Sequence, residues 1–181
     1  MSVDTEEDQA LLQAAANFEE AALAVIYDQY QGALYRYAYR LLGDEQLAEE
    51  CVSDVFFRFL KNLRKGGLPN ENLRAYLYRI AHNWIADHYR HGRSAKEQEL
   101  DDHLADDQDP AEDANTNMNR EQVREALLTL TLEQQQAILL KYFEGWQNEE
   151  IAQFMGKRIG AVKALLHRSL VALRKKCARQ E

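Results

Sequence analysis

Apolar residues along this chain recur at steps of three and four rather than in alternation, a period that gathers them on one side of a helix. The spacing predicts a long helix from Phe18 to Leu42, ended by Gly43, with Asp44 placed to cap the next. A second helix follows from Glu45 to Leu63, with Leu47, Ala48, Cys51, Val52, Val55, Phe56 and Phe59 as its wide buried side. Residues 64–70, Arg-Lys-Gly-Gly-Leu-Pro-Asn, read as a basic turn. A third helix spans Leu73 to Tyr89 and ends at Gly92. Tyr76, Leu77, Ile80, Ala81, Trp84 and Ile85 keep helical spacing there, so Trp84 reads as a core residue. Farther on, helices are predicted over Arg120 to Leu128, Leu132 to Phe143, Glu149 to Met155 and Gly160 to Cys177. Thr131 with Gln134 has the form of a capping box, and Asn148 precedes the acidic first turn Glu149-Glu150.

Composition agrees with an all-α chain. Of 181 residues, 46% are hydrophobic, only two are proline and eight are glycine, so wholesale disorder and a sheet-rich fold are both disfavoured. Cys51 and Cys177 match no zinc or redox spacing; a reducing compartment is expected, with Cys51 a small core residue. No stretch approaches the roughly 20 consecutive apolar residues of a membrane span, and the acidic start is unlike a signal peptide. Neither membrane insertion nor export is expected, and the chain reads as cytoplasmic.

The formal charge of −8 hides a strongly uneven distribution. Residues 1–16 hold four acids and no base, and residues 17–94 are balanced. Residues 95–119 hold nine acids and one base, while residues 151–181 hold eight bases and one acid. This divides the chain into an acidic N-terminal arm (1–16), a helical domain (17–94), an acidic flexible linker (95–118) with too little apolar periodicity to pack, and a second helical domain (119–181). The arm is expected to fray, with a short partner-binding or autoinhibitory arm as the alternative. A basic terminus behind an acidic connector is the footprint of a nucleic-acid-binding protein.

Three constellations carry candidate chemistry. In the second domain, Asn148 to Gly156 followed by residues 157–162 has the layout of a helix-turn-helix: Ala152 small at the helix crossing, Gly156 at the turn, Ile151 and Val162 inward. On the last helix, Ile159, Val162, Leu166, Leu170 and Leu173 share one side; Lys163, His167 and Arg174 share another, bordered by Arg168 and Lys175. A helix entering the major groove needs that division, although a solvated basic face gives the same stripe. On the third helix, Arg79, Asn83, Ala86 and Arg90 line a face away from the core, with Ala75 and Ala86 leaving room for close approach. Residues 58–93 carry eight bases against two acids, so this face and the glycine-containing loop before it suit single-stranded DNA. On the second helix, Glu50, Asp54, Phe57 and Lys61 fall opposite the buried side. An exposed aromatic ringed by charge suits protein docking, unless the N-terminal helix covers it. No Ser-His-Asp set, metal-ligand spacing or glycine-rich phosphate loop points to an enzyme, a metal or a cofactor.

These elements, carried by residues 42–58, 73–90, 145–156 and 162–168, resemble together a bacterial σ factor of the extracytoplasmic-function (ECF) group. The resemblance implies that Glu49, Glu50, Asp54, Phe57 and Lys61 dock on the β′ clamp helices of RNA polymerase, whose β subunit is also a partner. It implies that Arg64, Lys65, Arg79, Asn83, Asp87 and Arg90 engage the melting minus-ten element. Lys157, Arg158, Lys163, His167, Arg168 and Arg174 would read the minus-thirty-five element of promoter DNA as duplex, and an anti-σ regulator would clasp both domains. The chain departs from the family pattern at Lys157 and Arg158, where an aliphatic and a hydroxyl residue are usual, and at Ala164 and Leu165, where Ser and Arg are usual. The phosphate contacts expected at the latter two positions are then missing or relocated. The rival reading is a stand-alone helix-turn-helix regulator that dimerises through its N-terminal helices and binds palindromic operators.

Overall fold

In a computed structural model the described residues, which are 6–69, 72–96 and 125–177, form helices joined by short turns, with no strand among them. It divides into two compact units, Met1–Tyr89 and Arg90–Glu181, with the division inside the last turns of one helix. The predicted linker lies almost wholly outside the described residues, and so does the start of the helix predicted from Arg120, of which residues 125–128 are helical.

The first unit begins with a helix that the sequence did not announce. Residues 6–16, expected to fray, form α1 (Glu6–Ala16), which packs on α2 (Glu20–Leu42) and α3 (Glu45–Arg64) and buries Ala15 completely. Burial, with Asp8 of α1 beside it, pushes the Tyr30 phenol of α2 upward. Helix α2 starts at Glu20 rather than Phe18 because Phe18 adopts φ 58° and closes α1. Its N–H donates to Ala15 O at 3.0 Å and that of Glu19 donates to Ala14 O at 3.1 Å, the paired bonds of a Schellman motif.

The α2–α3 corner follows the sequence. Gly43 takes φ 70°, and the Asp44 carboxylate accepts from Leu47 N–H at 2.8 Å. The buried side of α3 comprises Ala48, Cys51, Val52, Val55, Phe56, Phe59 and Leu63, with Leu47 half-buried. Each large side chain among them contributes roughly 1.5–3 kcal/mol of transfer free energy.

Helix α4 (Leu73–Lys96) starts on Asn72, whose Oδ1 accepts from Ala75 N–H at 2.7 Å. It runs through Gly92, so the expected stop there does not occur; a glycine inside a helix costs about 1 kcal/mol relative to alanine, which a helix can absorb. Ala95 and Lys96, expected in the linker, belong to it. Its core face is Ala75, Leu77, Tyr78, Ala81 and Ile85. Tyr78 meets the buried Tyr37 of α2 edge-on at 5.1 Å, and the Tyr89 hydroxyl donates to Leu41 O. Trp84 is not core: it is half-buried and stacks on His88, with centroids 5.6 Å apart.

In the second unit the Thr131–Gln134 capping box forms and opens α5 (Leu132–Ile138). The single helix expected to Phe143 instead widens into a π turn over Leu139–Phe143, where Glu144 N–H donates to Leu139 O at 3.0 Å. Trp146 follows, buried edge-on against Phe154. Helix α6 (Asn148–Met155) is capped by Gln147 rather than Asn148: Gln147 N–H donates to Glu150 Oε2 at 2.6 Å, completing a capping box one residue earlier than expected. Gly156 turns the chain with φ 64° into α7 (Ile159–Cys177).

Candidate functional site

Helices α6 and α7 with the turn between them make the helix-turn-helix. Ile151, Ala152, Phe154 and Val162 are buried as the motif requires. The apolar side of α7 is rotated from the expected one. Val162 and Leu166 are buried and Leu170 and Leu173 half-buried, but Ile159 is 40% exposed while Leu165 is 6% exposed. Ile159 stands at the first position of α7, ahead of the turns that meet α5 and α6, and the two-sided packing of α7 buries a broader arc that takes in Leu165 and Ser169. The Ser169 hydroxyl, fully buried, donates to Leu165 O at 2.8 Å.

The outer side of α7 keeps Lys163, His167, Arg168, Arg174 and Lys175 exposed, together with Arg158 at the turn. Lys157 differs. It is half-buried, and its ammonium lies 2.8 Å from Oε1 of Glu133 on α5.

On α3, Glu49, Glu50, Phe57 and Lys61 are all exposed, and α1 does not cover Phe57, which is 63% exposed. The Lys61 ammonium lies 5.8 Å from its ring centroid. Asp54 is half-buried and its Oδ2 lies 2.6 Å from Arg58 Nε, so its charge is partly occupied within the helix. Leu60, which the sequence reading passed over, is exposed on the same side and widens the apolar spot.

The loop after α3 is tied by a residue the sequence reading missed. The Asn62 carbonyl accepts from Lys65 N–H at 3.1 Å and Gly67 N–H at 3.0 Å, and its side-chain amide donates to Gly67 O at 2.9 Å. A Cβ on Gly67 would lie 2.4 Å from Asn62 Oδ1, so a side chain there would displace the amide that donates to Gly67 O. Arg64 and Lys65 are held exposed on this frame. On α4, Asn83 and Arg90 are exposed, Arg79, Ala86 and Asp87 are half-buried, and Ala75 is buried, so the room expected at Ala75 is filled by the core. Tyr37 OH lies 3.4 Å from His82 Nδ1, and burial, reinforced by Arg79, holds the His82 imidazole below its ordinary value.

Burial lifts the Cys51 thiol to about 12, with Asp54 adding to the shift, which keeps it a protonated core residue. Among the described residues no group of acidic, histidine and cysteine side chains is placed to hold a metal ion, and no helix is long and apolar enough to cross a membrane.

Helix-turn-helix and basic-faced helix are the parts of a two-domain promoter-reading protein, and the comparisons agree. Residues 26–95 match Sigma-70 region 2 and residues 120–173 match Sigma-70, region 4. The ECF RNA polymerase sigma factor SigL of Mycobacterium tuberculosis is 31% identical over 166 residues, covering 91% of this chain and 94% of SigL. ECF RNA polymerase sigma factor BldN of Streptomyces coelicolor is 30% identical over 90% of this chain, which spans 63% of BldN's length. The solved structure of CnrH in complex with the cytosolic domain of CnrY superposes with a TM-score of 0.74, at 22% identity over 96% of this chain and 99% of that one. Sigma factor RpoE in complex with the anti-sigma factor NepR, from Bartonella quintana, gives 0.65 at 22% identity over 90% and 97%. The chain belongs to the ECF group of the σ70 family of RNA polymerase σ factors, which are transcription initiation factors.

Proposed function

We propose that this chain is a dissociable initiation subunit whose two domains bracket a promoter while mounted on RNA polymerase. Glu49, Glu50, Asp54, Phe57 and Lys61, with Leu60 beside them, form the face that docks on the β′ clamp helices. The tied loop with Arg64 and Lys65, and Arg79, Asn83, Asp87 and Arg90 of α4, hold the minus-ten element as it unpairs. Arg158, Lys163, His167, Arg168 and Arg174 form the duplex-facing side at the minus-thirty-five element, with Lys157 beside them at the turn, its ammonium paired with Glu133. The domains are residues 17–94, on which α1 packs, and 119–181; the acidic stretch between them occupies the enzyme's basic channel, where carboxylates imitate RNA phosphates, and repels free DNA. An anti-σ regulator that covers both faces is a further partner.

The observation that carries this reading is Phe57. A phenylalanine standing 63% exposed beside Lys61 and Leu60 adds little packing in the free chain, whereas a buried aromatic anchor is what a docking interface needs. Phe57→Ala should therefore leave thermal stability unchanged while reducing retention by immobilised core polymerase at least tenfold, the loss expected for an interface hot spot of about 2 kcal/mol. Full retention of Phe57→Ala would overturn the docking assignment.

A further inference from the structure

Lys157 is the only cation of the helix-turn-helix, among the described residues, for which the structure gives an ion pair, and that pair crosses to another helix. Glu133 sits in the first turn of α5, and Lys157 lies between Gly156 and the start of α7. The backbone fixes both ends. Lys157 N–H donates to Ala152 O at 2.8 Å, which seats the turn, and the Thr131–Gln134 capping box fixes the turn that carries Glu133. The lysine side chain is 31% exposed and the glutamate 51% exposed, so the pair opens to solvent where a phosphate would approach.

We propose that Glu133 restrains non-specific DNA binding: its carboxylate competes with DNA phosphate for the Lys157 ammonium and withholds that lysine from sequence-independent contact. The inference rests on the reading that this helix-turn-helix faces duplex DNA. A phosphate gains from a lysine by neutralising it and releasing condensed counterions. A lysine already neutralised by a carboxylate at 2.8 Å offers no such gain, and a phosphate that reaches it also meets the glutamate's negative charge. Arg158, Lys163, His167, Arg168 and Arg174 have no such carboxylate in an ion pair among those the structure gives, so they remain the groups that meet the backbone or the bases. The effect is to lower affinity for arbitrary duplex without touching contacts that read sequence. Two adjacent cations at the turn then differ in role: Arg158 is exposed toward solvent, and Lys157 is held.

The test measures binding of the full chain to a fluorescent random-sequence duplex by anisotropy over a salt series, for the wild type, E133Q, K157Q, E133Q/K157Q and K163Q, each first shown by circular dichroism to melt like the wild type. Each added phosphate contact steepens the dependence of log affinity on log salt by about 0.9. E133Q should show that steepening, so that its affinity advantage over wild type shrinks about 3.5-fold between about 50 and about 200 mM salt. E133Q/K157Q should return to the wild-type slope, K157Q alone should leave it unchanged, and K163Q should make it shallower. If E133Q leaves the slope unchanged, or K157Q alone makes it shallower, while K163Q acts as expected, the role of Glu133 is wrong and the duplex-facing reading stands. If K163Q also has no effect, the duplex-facing reading falls and the inference falls with it.

Discussion

At the scale of single residues, the fold moves several titrations away from where they lie in water. His82 is held below its ordinary value by burial first and the Arg79 guanidinium second. The folded chain therefore takes up the His82 proton less readily than the unfolded chain does. Between the lowered folded value and about 6.5 the unfolded state binds more protons, so stability falls as pH drops through that interval and is complete above it. Urea melts from about pH 5 to about pH 8 should show the wild type losing midpoint on the acid side relative to His82→Gln, which lacks this titration. Parallel curves would contradict the assignment. Phe57 and Cys51, two residues of one helix, show how far a sequence pattern reaches at this scale. Helical spacing separated the exposed aromatic from the buried thiol, because both follow from which side of α3 carries the apolar residues. It did not find Asn62, Tyr78 or Leu60. Asn62 acts on a loop backbone five residues away, a relation that no side-chain period encodes.

At the scale of elements, the start and stop chemistry was legible wherever one residue type performs it in one way. Asp44, Gly43, Gly156 and the Thr131–Gln134 box stand where the pattern places them. The failures have physical causes. Gly92 is tolerated in α4, the π turn at Leu139–Phe143 keeps an apolar pattern close to that of an α-helix, and α7 buries an arc wider than one stripe, taking in a serine whose hydroxyl bonds to its own helix. Asn72 was findable, since an asparagine three residues before Ala75 fits the N-cap rule. The α1–α2 junction was not, because it places Phe18 at a left-handed position that glycine normally fills. A non-glycine residue there costs on the order of 1 kcal/mol, and the Phe18 ring, 46% exposed, offsets a cost of that size by the half of its surface that is covered. Phe18→Gly, which removes both the strain and the burial, is accordingly expected to shift stability by no more than about 1 kcal/mol, well short of the roughly 3–5 kcal/mol that truncating a fully buried phenylalanine costs. A fall in the unfolding midpoint beyond that would mean that the ring contributes packing that outweighs the strain.

At the scale of the whole molecule, the net charge of −8 opposes DNA, and the basic residues that favour it are confined to α4 with its preceding loop and to the helix-turn-helix. On the proposed reading, an acidic connector between two DNA-facing units would leave the chain a poor DNA binder alone and selective once a larger basic enzyme accommodates that connector. The stand-alone dimeric regulator predicts the reverse: a symmetric site, bound without help. The two are separated most directly by incubating a pool of randomised duplex DNA with this chain alone, with core RNA polymerase alone and with both, then sequencing what is retained. The account predicts that only the mixture enriches a shared motif, and that the motif is an asymmetric pair of elements. Enrichment of a palindrome by the chain alone would contradict it.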